Sequence, residues 1–461
     1  MKFLTADIGS TYTKLAAIDS ATREILATSA SFTTISTDVT KGFYNALEIL
    51  ENKIGKFDYD KLLCCSSAAG GLKMVALGLV PSLTAKAAKM AASSAGAKVV
   101  KTYSFEISNA EAKEIEEISP DLVLLCGGTD GGNKEIIIAN AQKLSTIKGT
   151  FSIIVAGNKS AEDQIAQILR ESDKHWTITQ NVMPEFNKLN IEPAKECIRE
   201  LFIERIIEAK GLTTISKMCT GDVIPTPLAV MQGCSLLSTG TEEQEGVGEL
   251  IAVDLGGATT DVYSMTEGTP SRDDIVFRGL PEPFAKRSVE GDLGMRYSLK
   301  FLAHECTHKW IAAEAGESEE LVKEWIKTCC AQPDTIAPHG SPQQRIEEAL
   351  AKGAVKTALE RHCGYIEPVY TPMGQMYTIN GKDLTNVPLA IGIGGAIINS
   401  PHPNKIMEGV KAGKGDLNYA KPKDPVVKTD SSYILASMGL LSAFDPETAL
   451  AIMKKEIFNK I

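Results

Sequence analysis

Two short segments of this sequence carry an aspartate, glycines and hydroxyl residues in the same order. The first is DIGSTYTK at 7–14 and the second is DLGGATTD at 254–261. Each lies between apolar runs typical of β-strands, so each predicts a β-hairpin with a tight turn. Backbone N–H groups in such a turn can approach an anion closely, because glycine has no side chain. Two such turns in one chain predict two cradles that hold one polyphosphate.

The side chains of the two turns suit a nucleotide and its metal. Hydroxyl groups can donate to phosphate oxygens, and Lys14 can neutralise phosphate charge. Asp7 and Asp254 would repel phosphate, so we interpret them as catalytic carboxylates that hold Mg²⁺ through its waters. The predicted cofactor-binding residues are Gly9, Ser10, Thr11, Thr13 and Lys14 in the first turn, and Gly256, Gly257, Ala258, Thr259 and Thr260 in the second.

Two further glycine clusters follow apolar strands. AIGIGGA at 390–396 predicts a base or ribose lying on bare backbone at Gly392, Gly394 and Gly395, with a helix N-terminus aimed at an anion. CGGTDGGN at 126–133 contains Asp130, for which two interpretations stay open. In the functional interpretation, Asp130 orients a water at the terminal phosphate, as a catalytic residue, or binds the partner side of the cleft. In the structural one, the segment is a flexible strand–helix connection in which Asn133 or Asp130 caps the helix.

The order of the predicted elements indicates an α/β fold with two lobes. Strands and helices alternate from residue 1 to about 245, and a new hairpin begins near 250, so we expect lobes at 1–245 and 246–461. The first lobe contains 73–118, which is either an inserted βαβ unit or an ordinary crossover of the main sheet. The second contains a helical block at about 295–363.

The net charge, the apolar runs and the cysteines of the chain limit the classes of protein to which it can belong. The chain has 461 residues and a net charge of −10, which argues against nucleic acid as the main partner. The N-terminus does not resemble a signal peptide, and no apolar run is long enough to span a membrane. We therefore expect a cytoplasmic protein without a membrane partner, whose ten cysteines are reduced.

The two turns and the later glycine loop resemble the phosphate-1, phosphate-2 and adenosine motifs of the actin, Hsp70 and sugar-kinase superfamily. More narrowly, CSSAAGGLKM at 65–74, CGGTDGGN, VDLGGATTDVYS at 253–264 and the GIGGA loop resemble the glutamate mutase L family over most of the chain. This resemblance implies a bilobal, ribonuclease H-like ATPase with ATP and Mg²⁺ as cofactors. It also implies a reactivating factor that works on the subunits of an adenosylcobalamin-dependent mutase and releases damaged cobalamin. A homodimer stays open.

Three other functions compete with this interpretation. A small-molecule kinase of the same fold is the main alternative, although no sugar-binding constellation is evident. HECTH at 304–308 matches the zinc peptidase pattern HExxH, but a solvated or partner-facing helix accounts for it better. An iron–sulfur cluster is disfavoured, because the adjacent cysteines Cys64–Cys65 and Cys329–Cys330 lack the usual spacing.

Overall fold

The computed structural model describes residues 1–9, 11–33, 38–67, 72–209, 212–372, 374–413, 415–416 and 418–458. The chain forms two compact units. Unit 1 comprises Met1–Gly233, Gly279–Pro281 and Ala436–Ile452, and unit 2 comprises Cys234–Arg278, Glu282–Leu435 and Met453–Ile461.

The strands of the described residues are β1 Lys2–Ile8, β2 Tyr12–Asp19, β3 Glu24–Phe32, β4 Lys61–Ser66, β5 Lys73–Gly78, β6 Lys98–Ser104, β7 Leu122–Leu125, β8 Ser152–Val155, β9 His175–Ile178, β10 Ile224–Pro225, β11 Leu250–Leu255, β12 Thr260–Met265, β13 Ile275–Phe277, β14 Ala285–Glu290, β15 Tyr365–Thr371, β16 Gly374–Asn380, β17 Leu389–Ile393 and β18 Val426–Thr429. The α-helices are α1 Val39–Ile54, α2 Lys86–Ser94, α3 Asn109–Ile118, α4 Glu135–Thr146, α5 Glu162–Arg170, α6 Glu192–Ala209, α7 Thr213–Met218, α8 Thr226–Thr239, α9 Leu299–Cys306, α10 His308–Ala315, α11 Glu319–Ala331, α12 Pro342–His362, α13 Gly395–Ile398, α14 Pro403–Met407, α15 Leu435–Ser442 and α16 Pro446–Phe458.

Each unit contains a five-stranded sheet with the same strand order. In unit 1 the order is β3-β2-β1-β4-β10, and in unit 2 it is β14-β12-β11-β17-β18. In each sheet, neighbouring strands among the first three are antiparallel. The last two strands run parallel to the third, which is β1 in unit 1 and β11 in unit 2. This repeated order is the ribonuclease H-like arrangement of the actin-like ATPase fold, and the predicted α/β fold class is confirmed.

Unit 1 carries a second sheet, which is entirely parallel. Its order is β6-β5-β7-β8-β9, the doubly wound order of flavodoxin. It runs from Lys73 to Ile178, so the predicted inserted unit at 73–118 contains only its first two strands. The sequence pattern did not reveal the full extent, because alternating strands and helices look the same whether they join the main sheet or another.

The structural units also differ from the predicted lobes 1–245 and 246–461, because part of the C-terminal region belongs to unit 1. Helix α15 approaches α8 so closely that a Cβ at Gly439 would lie 1.8 Å from the carbonyl oxygen of Ala229. This close contact is possible only because glycine has no side chain. The hydrophobic periodicity of the sequence does not indicate such a contact.

Helices α9 to α12 of unit 2 lie within the predicted helical block and cover one face of its five-stranded sheet. The apolar core there joins Ile251, Val253 and Leu255 of β11 to buried residues of all four helices. Strands β13, β16 and β15 form a separate small sheet. Among the described residues, no helix is both long and apolar enough to cross a membrane.

Candidate functional site

Hairpin 1, formed by β1, β2 and the turn between them, brings Asp7 and Lys14 together. The two residues are direct partners across the strands, and the Lys14 ammonium lies 3.9 Å from the Asp7 carboxylate. The Gly9 N–H donates to the Tyr12 carbonyl over 3.0 Å and closes the turn. A Cβ at Gly9 would lie 2.7 Å from that same oxygen, so the turn requires a glycine.

The Asp7 carboxylate is held in place by two neighbours that the sequence did not identify as partners. Thr226, at the start of α8, donates its hydroxyl to Asp7 Oδ1 over 2.7 Å, and the Cys65 thiol lies 3.5 Å from the same oxygen. Burial, and then the negative charge of Asp7, raise the pKa of Cys65 well above its ordinary value. Cys65 therefore stays a protonated donor that orients the carboxylate.

Among the predicted ligands of hairpin 1, Thr13 does not face Asp7. Thr13 is fully buried, and its hydroxyl bonds to that of Thr33 over 2.9 Å. It pairs with Ile8 on the face that packs against α1, opposite to the face of Asp7 and Lys14, since neighbouring residues of a strand alternate. The prediction for Thr13 is therefore corrected. Thr11 is exposed, and Ser10 lies outside the described residues.

Hairpin 2, formed by β11, β12 and the turn at 256–259, repeats this geometry with a different charge. Asp254 occupies the position of Asp7, and its partner across the strands is Asp261, the counterpart of Lys14. The Gly256 N–H donates to the Thr259 carbonyl over 2.9 Å. The Arg287 guanidinium of β14 pairs with Asp261 at 2.5 Å, so the second acid is neutralised within the unit.

Burial and the neighbouring charges shift the pKa of Arg287 in opposite directions. Burial alone would lower its pKa, but Asp261 and Tyr263 raise that pKa above its ordinary value. Thr259 also donates its hydroxyl to Asp261 over 3.2 Å. Asp261 is thus occupied by contacts within the protein.

The turn of hairpin 2 is supported from behind by the segment before α9. The N–H groups of Arg296 and Tyr297 both donate to the Gly257 carbonyl over 2.8 Å. Within the described chain, the N–H groups of Gly257 and Ala258 donate to no protein acceptor. These two donors are available to an anion. Thr260, in contrast, is buried and donates its hydroxyl to the Leu293 carbonyl over 2.6 Å, so its predicted ligand role is corrected for the same reason as that of Thr13.

The third glycine loop lies beside Asp254. Gly394 has a φ of +94°, and a Cβ there would lie 2.3 Å from the Leu255 carbonyl and 2.9 Å from the Asp254 carboxylate. A Cβ at Gly395 would lie 3.2 Å from the Tyr433 hydroxyl, whereas one at Gly392 would meet apolar side chains of the core. Gly394 and Gly395 therefore leave bare backbone near the acid, and Gly392 serves packing.

Three further residues lie near Asp254, and the sequence analysis did not predict them. They are Asp430, Tyr433 and Cys234. Asp430 is buried and accepts hydrogen bonds from the N–H groups at the start of α15. Burial, followed by Asp254 and Asp430, raises the pKa of both Tyr433 and Cys234. An aspartate just before an apolar helical run was the available signal, because it is typical of a helix N-cap.

Asp130 lies in a different place, on the loop after β7 of the parallel sheet. Its Oδ1 accepts hydrogen bonds from the Lys159 N–H over 3.1 Å and the Asn181 amide over 2.9 Å. Its own N–H donates to the Pro184 carbonyl. These bonds tie three loops together and supply a structural role, and Asp130 shares no sheet with Asp7.

The HECTH segment does not form the helix that a zinc peptidase requires. Helix α9 ends at Cys306, Thr307 has a φ of +64°, and α10 begins at His308. Glu305 pairs with Arg361 at 3.3 Å. In the part of the chain that the structure describes, no three His, Cys, Asp or Glu side chains form a group that could hold a metal.

Comparison with known proteins gives the family. A family model described as MutL protein matches residues 3–457. The chain belongs to this family. It is similar to Protein MutL of Clostridium tetanomorphum, with 45% identity over 461 residues and 98% of each chain covered. The predicted resemblance to the glutamate mutase L family is thereby confirmed.

Two solved structures are similar at low identity. The activator of the 2-hydroxyisocaproyl-CoA dehydratase from Clostridium difficile, with bound ADPNP, is 11% identical over 97% of this chain and 96% of that one, with a TM-score of 0.29. Ligand-bound xylulose kinase from Lactobacillus acidophilus is 10% identical over 99% and 92%, with a TM-score of 0.35. At such low scores these likenesses carry no argument, and the fold rests on the repeated strand order.

Proposed function

We propose that this protein hydrolyses ATP with Mg²⁺ and uses the cycle to reactivate an adenosylcobalamin-dependent mutase of the glutamate mutase type. The observation that carries the nucleotide part is the repeated hairpin, with Asp7 and Asp254 at the same register position in sheets of the same order. Family membership supports the mutase part. The partners would be mutase subunits in the cytoplasm, and a homodimer stays open.

Each hairpin would contribute different groups to the nucleotide. Lys14 supplies a positive charge for phosphate oxygens, and the N–H groups of Gly257 and Ala258 supply donors without protein acceptors among the described residues. The bare backbone at Gly394 and Gly395 leaves room for the ribose or base.

The residues present fit a Mg²⁺ that keeps most of its waters. Within the described residues no all-protein metal cage exists, which suits Mg²⁺, because proteins usually bind it through one or two carboxylates plus substrate phosphates. Asp254, beside the glycine loop, and Asp7, oriented by Thr226, would hold those waters. When bound, the ion would neutralise charge on the phosphates.

Hydrolysis would remove the contacts that the terminal phosphate makes. Loss of γ-phosphate contacts is a common trigger for rearrangement in nucleotide-driven proteins. We propose that the rearrangement loosens the bound mutase and lets damaged cobalamin leave.

A small-molecule kinase is the alternative, and no observation favours it. A kinase needs a carboxylate that accepts the proton of the acceptor hydroxyl. Asp130 was the candidate for that role, and its Oδ1 accepts two hydrogen bonds from neighbouring loops.

The test measures ATP hydrolysis alone and with an adenosylcobalamin-dependent mutase that has been inactivated with cyanocobalamin. We expect the mutase to stimulate hydrolysis and to regain activity when fresh adenosylcobalamin is added. Asp254→Asn should abolish both effects, and Asp163→Asn, on the exposed surface of α5, should change neither. Hydrolysis without mutase recovery would contradict the reactivating role, and phosphorylation of a small acceptor would support the kinase instead.

A further inference from the structure

The segment 294–298 lies directly before α9 and holds the turn of hairpin 2 by its backbone. The Met295 N–H donates to the Gly256 carbonyl over 3.1 Å, and the Gly257 carbonyl accepts two further N–H groups of the segment. Two successive peptide groups of the turn are thus bonded to one short stretch of chain. We call residues 294–298 the clasp.

These hydrogen bonds decide the direction in which the N–H groups of the turn point. In a planar trans peptide, the carbonyl and the N–H of the same peptide group point in opposite directions. The Gly256 and Gly257 carbonyls point toward the clasp, so the N–H groups of Gly257 and Ala258 point away from it. These two N–H groups have no protein acceptor among the described residues. The clasp therefore orients the two donors that we propose for phosphate.

Ser298 extends this contact to a third peptide group of the turn through its side chain. Its hydroxyl lies 2.8 Å from the Ala258 carbonyl and 2.7 Å from the Gly291 carbonyl, and it has one proton to share between them. Ser298 is 8% exposed, so water competes little for this proton. The hydroxyl therefore ties the turn to the clasp from inside the protein.

Ser298 is also the N-cap residue of α9, but its side chain does not cap the helix. A serine at this position usually accepts a hydrogen bond from an N–H of the first turn, which stabilises the helix. Ser298 makes no such bond. In α12 of the same unit, Ser341 does make it, with the Gln344 N–H over 3.2 Å. The Ser298 hydroxyl thus serves the turn of hairpin 2 instead of its own helix, and such a departure from a local rule is expected at functional sites.

The clasp has a firm base in the core of unit 2. Leu299 and Leu302 of α9 are buried in the apolar core that also contains β11. A Cβ at Gly294 would lie 2.3 Å from the carbonyl carbon of Ala258, so the backbones of the clasp and the turn are in direct contact. We therefore expect the position of the turn to depend on the clasp.

We propose that Ser298 is a positioning residue for ATP, which fixes the turn through the Ala258 carbonyl and aligns the N–H groups of Gly257 and Ala258 on a phosphate group. This role rests on the proposed nucleotide site and adds to it a residue that does not touch the ligand itself. Donors that are already aligned need no reorganisation when the anion arrives.

The test is calorimetric titration of the full chain with ATP in the presence of Mg²⁺. Ser298→Ala should weaken ATP binding by about 10-fold, because misaligned donors lose much of their hydrogen bonds to a charged group. Ser298→Thr keeps a hydroxyl at the same position and should retain most of the affinity.

Ser341→Ala is the matched control, because it removes a serine that caps its helix and makes no hydrogen bond to the turn. It should lower the melting temperature and leave ATP binding unchanged. Wild-type affinity in Ser298→Ala, or an equal loss of affinity in both alanine variants, would overturn the role of Ser298 and leave the nucleotide site intact. A wild-type chain that binds no ATP would instead overturn the nucleotide site, and the role of Ser298 with it.

Discussion

Hairpins 1 and 2 have the same register but opposite charges at one position. Lys14 faces Asp7 in hairpin 1, and Asp261 faces Asp254 in hairpin 2. The cation that Asp261 needs comes from the next strand, as the buried Arg287 of β14. Arg287 lies opposite Tyr263, and in unit 1 the corresponding position of β3 is Thr28, opposite Ala16, so that strand supplies no cation there.

This difference separates a charge that is neutralised inside the protein from one that we propose acts on the nucleotide. The Asp261–Arg287 pair is almost completely buried, so its two charges need each other. The Lys14 side chain is one-third exposed, and its ion pair with Asp7 is long at 3.9 Å. On this proposal, the repeated hairpin carries a structural charge in one copy and a functional charge in the other.

Asp261→Asn is expected to have the largest effect on stability. It leaves the Arg287 guanidinium buried without a counter-charge, which costs about 3–5 kcal/mol. Denaturant unfolding should show this loss, and the double variant Asp261→Asn/Arg287→Met should recover part of it. A free energy of unfolding within about 1 kcal/mol of the wild type would show that Asp261 is not structural.

Lys14→Gln tests whether the charge of Lys14 in hairpin 1 acts on the nucleotide. The variant should lower kcat/KM for ATP by about 10- to 100-fold, because hydrogen bonds to charged groups contribute about 1.5–3 kcal/mol. Unfolding in denaturant should stay close to wild type. A large loss of stability with normal hydrolysis would reverse the roles that we assign to the two positions.

A buried histidine that contacts strands β12 and β14 predicts a pH dependence of stability at hairpin 2. His362 is buried between the hydroxyls of Ser264 and Ser288, at 2.8 and 2.7 Å, and burial lowers its pKa well below the usual value. The unfolded chain binds this proton below about pH 6.5, so stability falls as the pH falls from there, by up to about 1.4 kcal/mol per pH unit.

Hydrogen exchange measures this effect segment by segment. Protection of β12 should decrease between pH 6.5 and 5 beyond the intrinsic pH effect, and protection of β2 should decrease less. In His362→Gln the extra loss at β12 should disappear. An equal loss in both hairpins would contradict the assignment to His362.

Thr13→Val and Thr260→Val should have the smallest effect on activity. Both hydroxyls are buried on the helix side of their sheets, so removal should cost about 1 kcal/mol of stability and change the ATP KM by less than about 2-fold. A loss of ATP affinity in either variant would show that the hydroxyl reaches the nucleotide.

The sequence predicted the two hairpins because their glycines, acids and apolar flanks are local features. It misplaced Thr13 and Thr260, although strand alternation was available as a signal: each lies one residue from a position on the acidic face. It missed Thr226, Asp430 and Arg287 because these residues reach the hairpins from distant segments. The parallel sheet was underestimated because strand pairing is not encoded in local periodicity.

The most direct test of the central claim is the Mg²⁺ dependence of ATP binding in Asp7→Asn and Asp254→Asn. The account predicts that Mg²⁺ tightens ATP binding to the wild type and that each variant loses most of this gain while its melting temperature changes little. If both variants keep the full Mg²⁺ effect, the two hairpins do not form the nucleotide site.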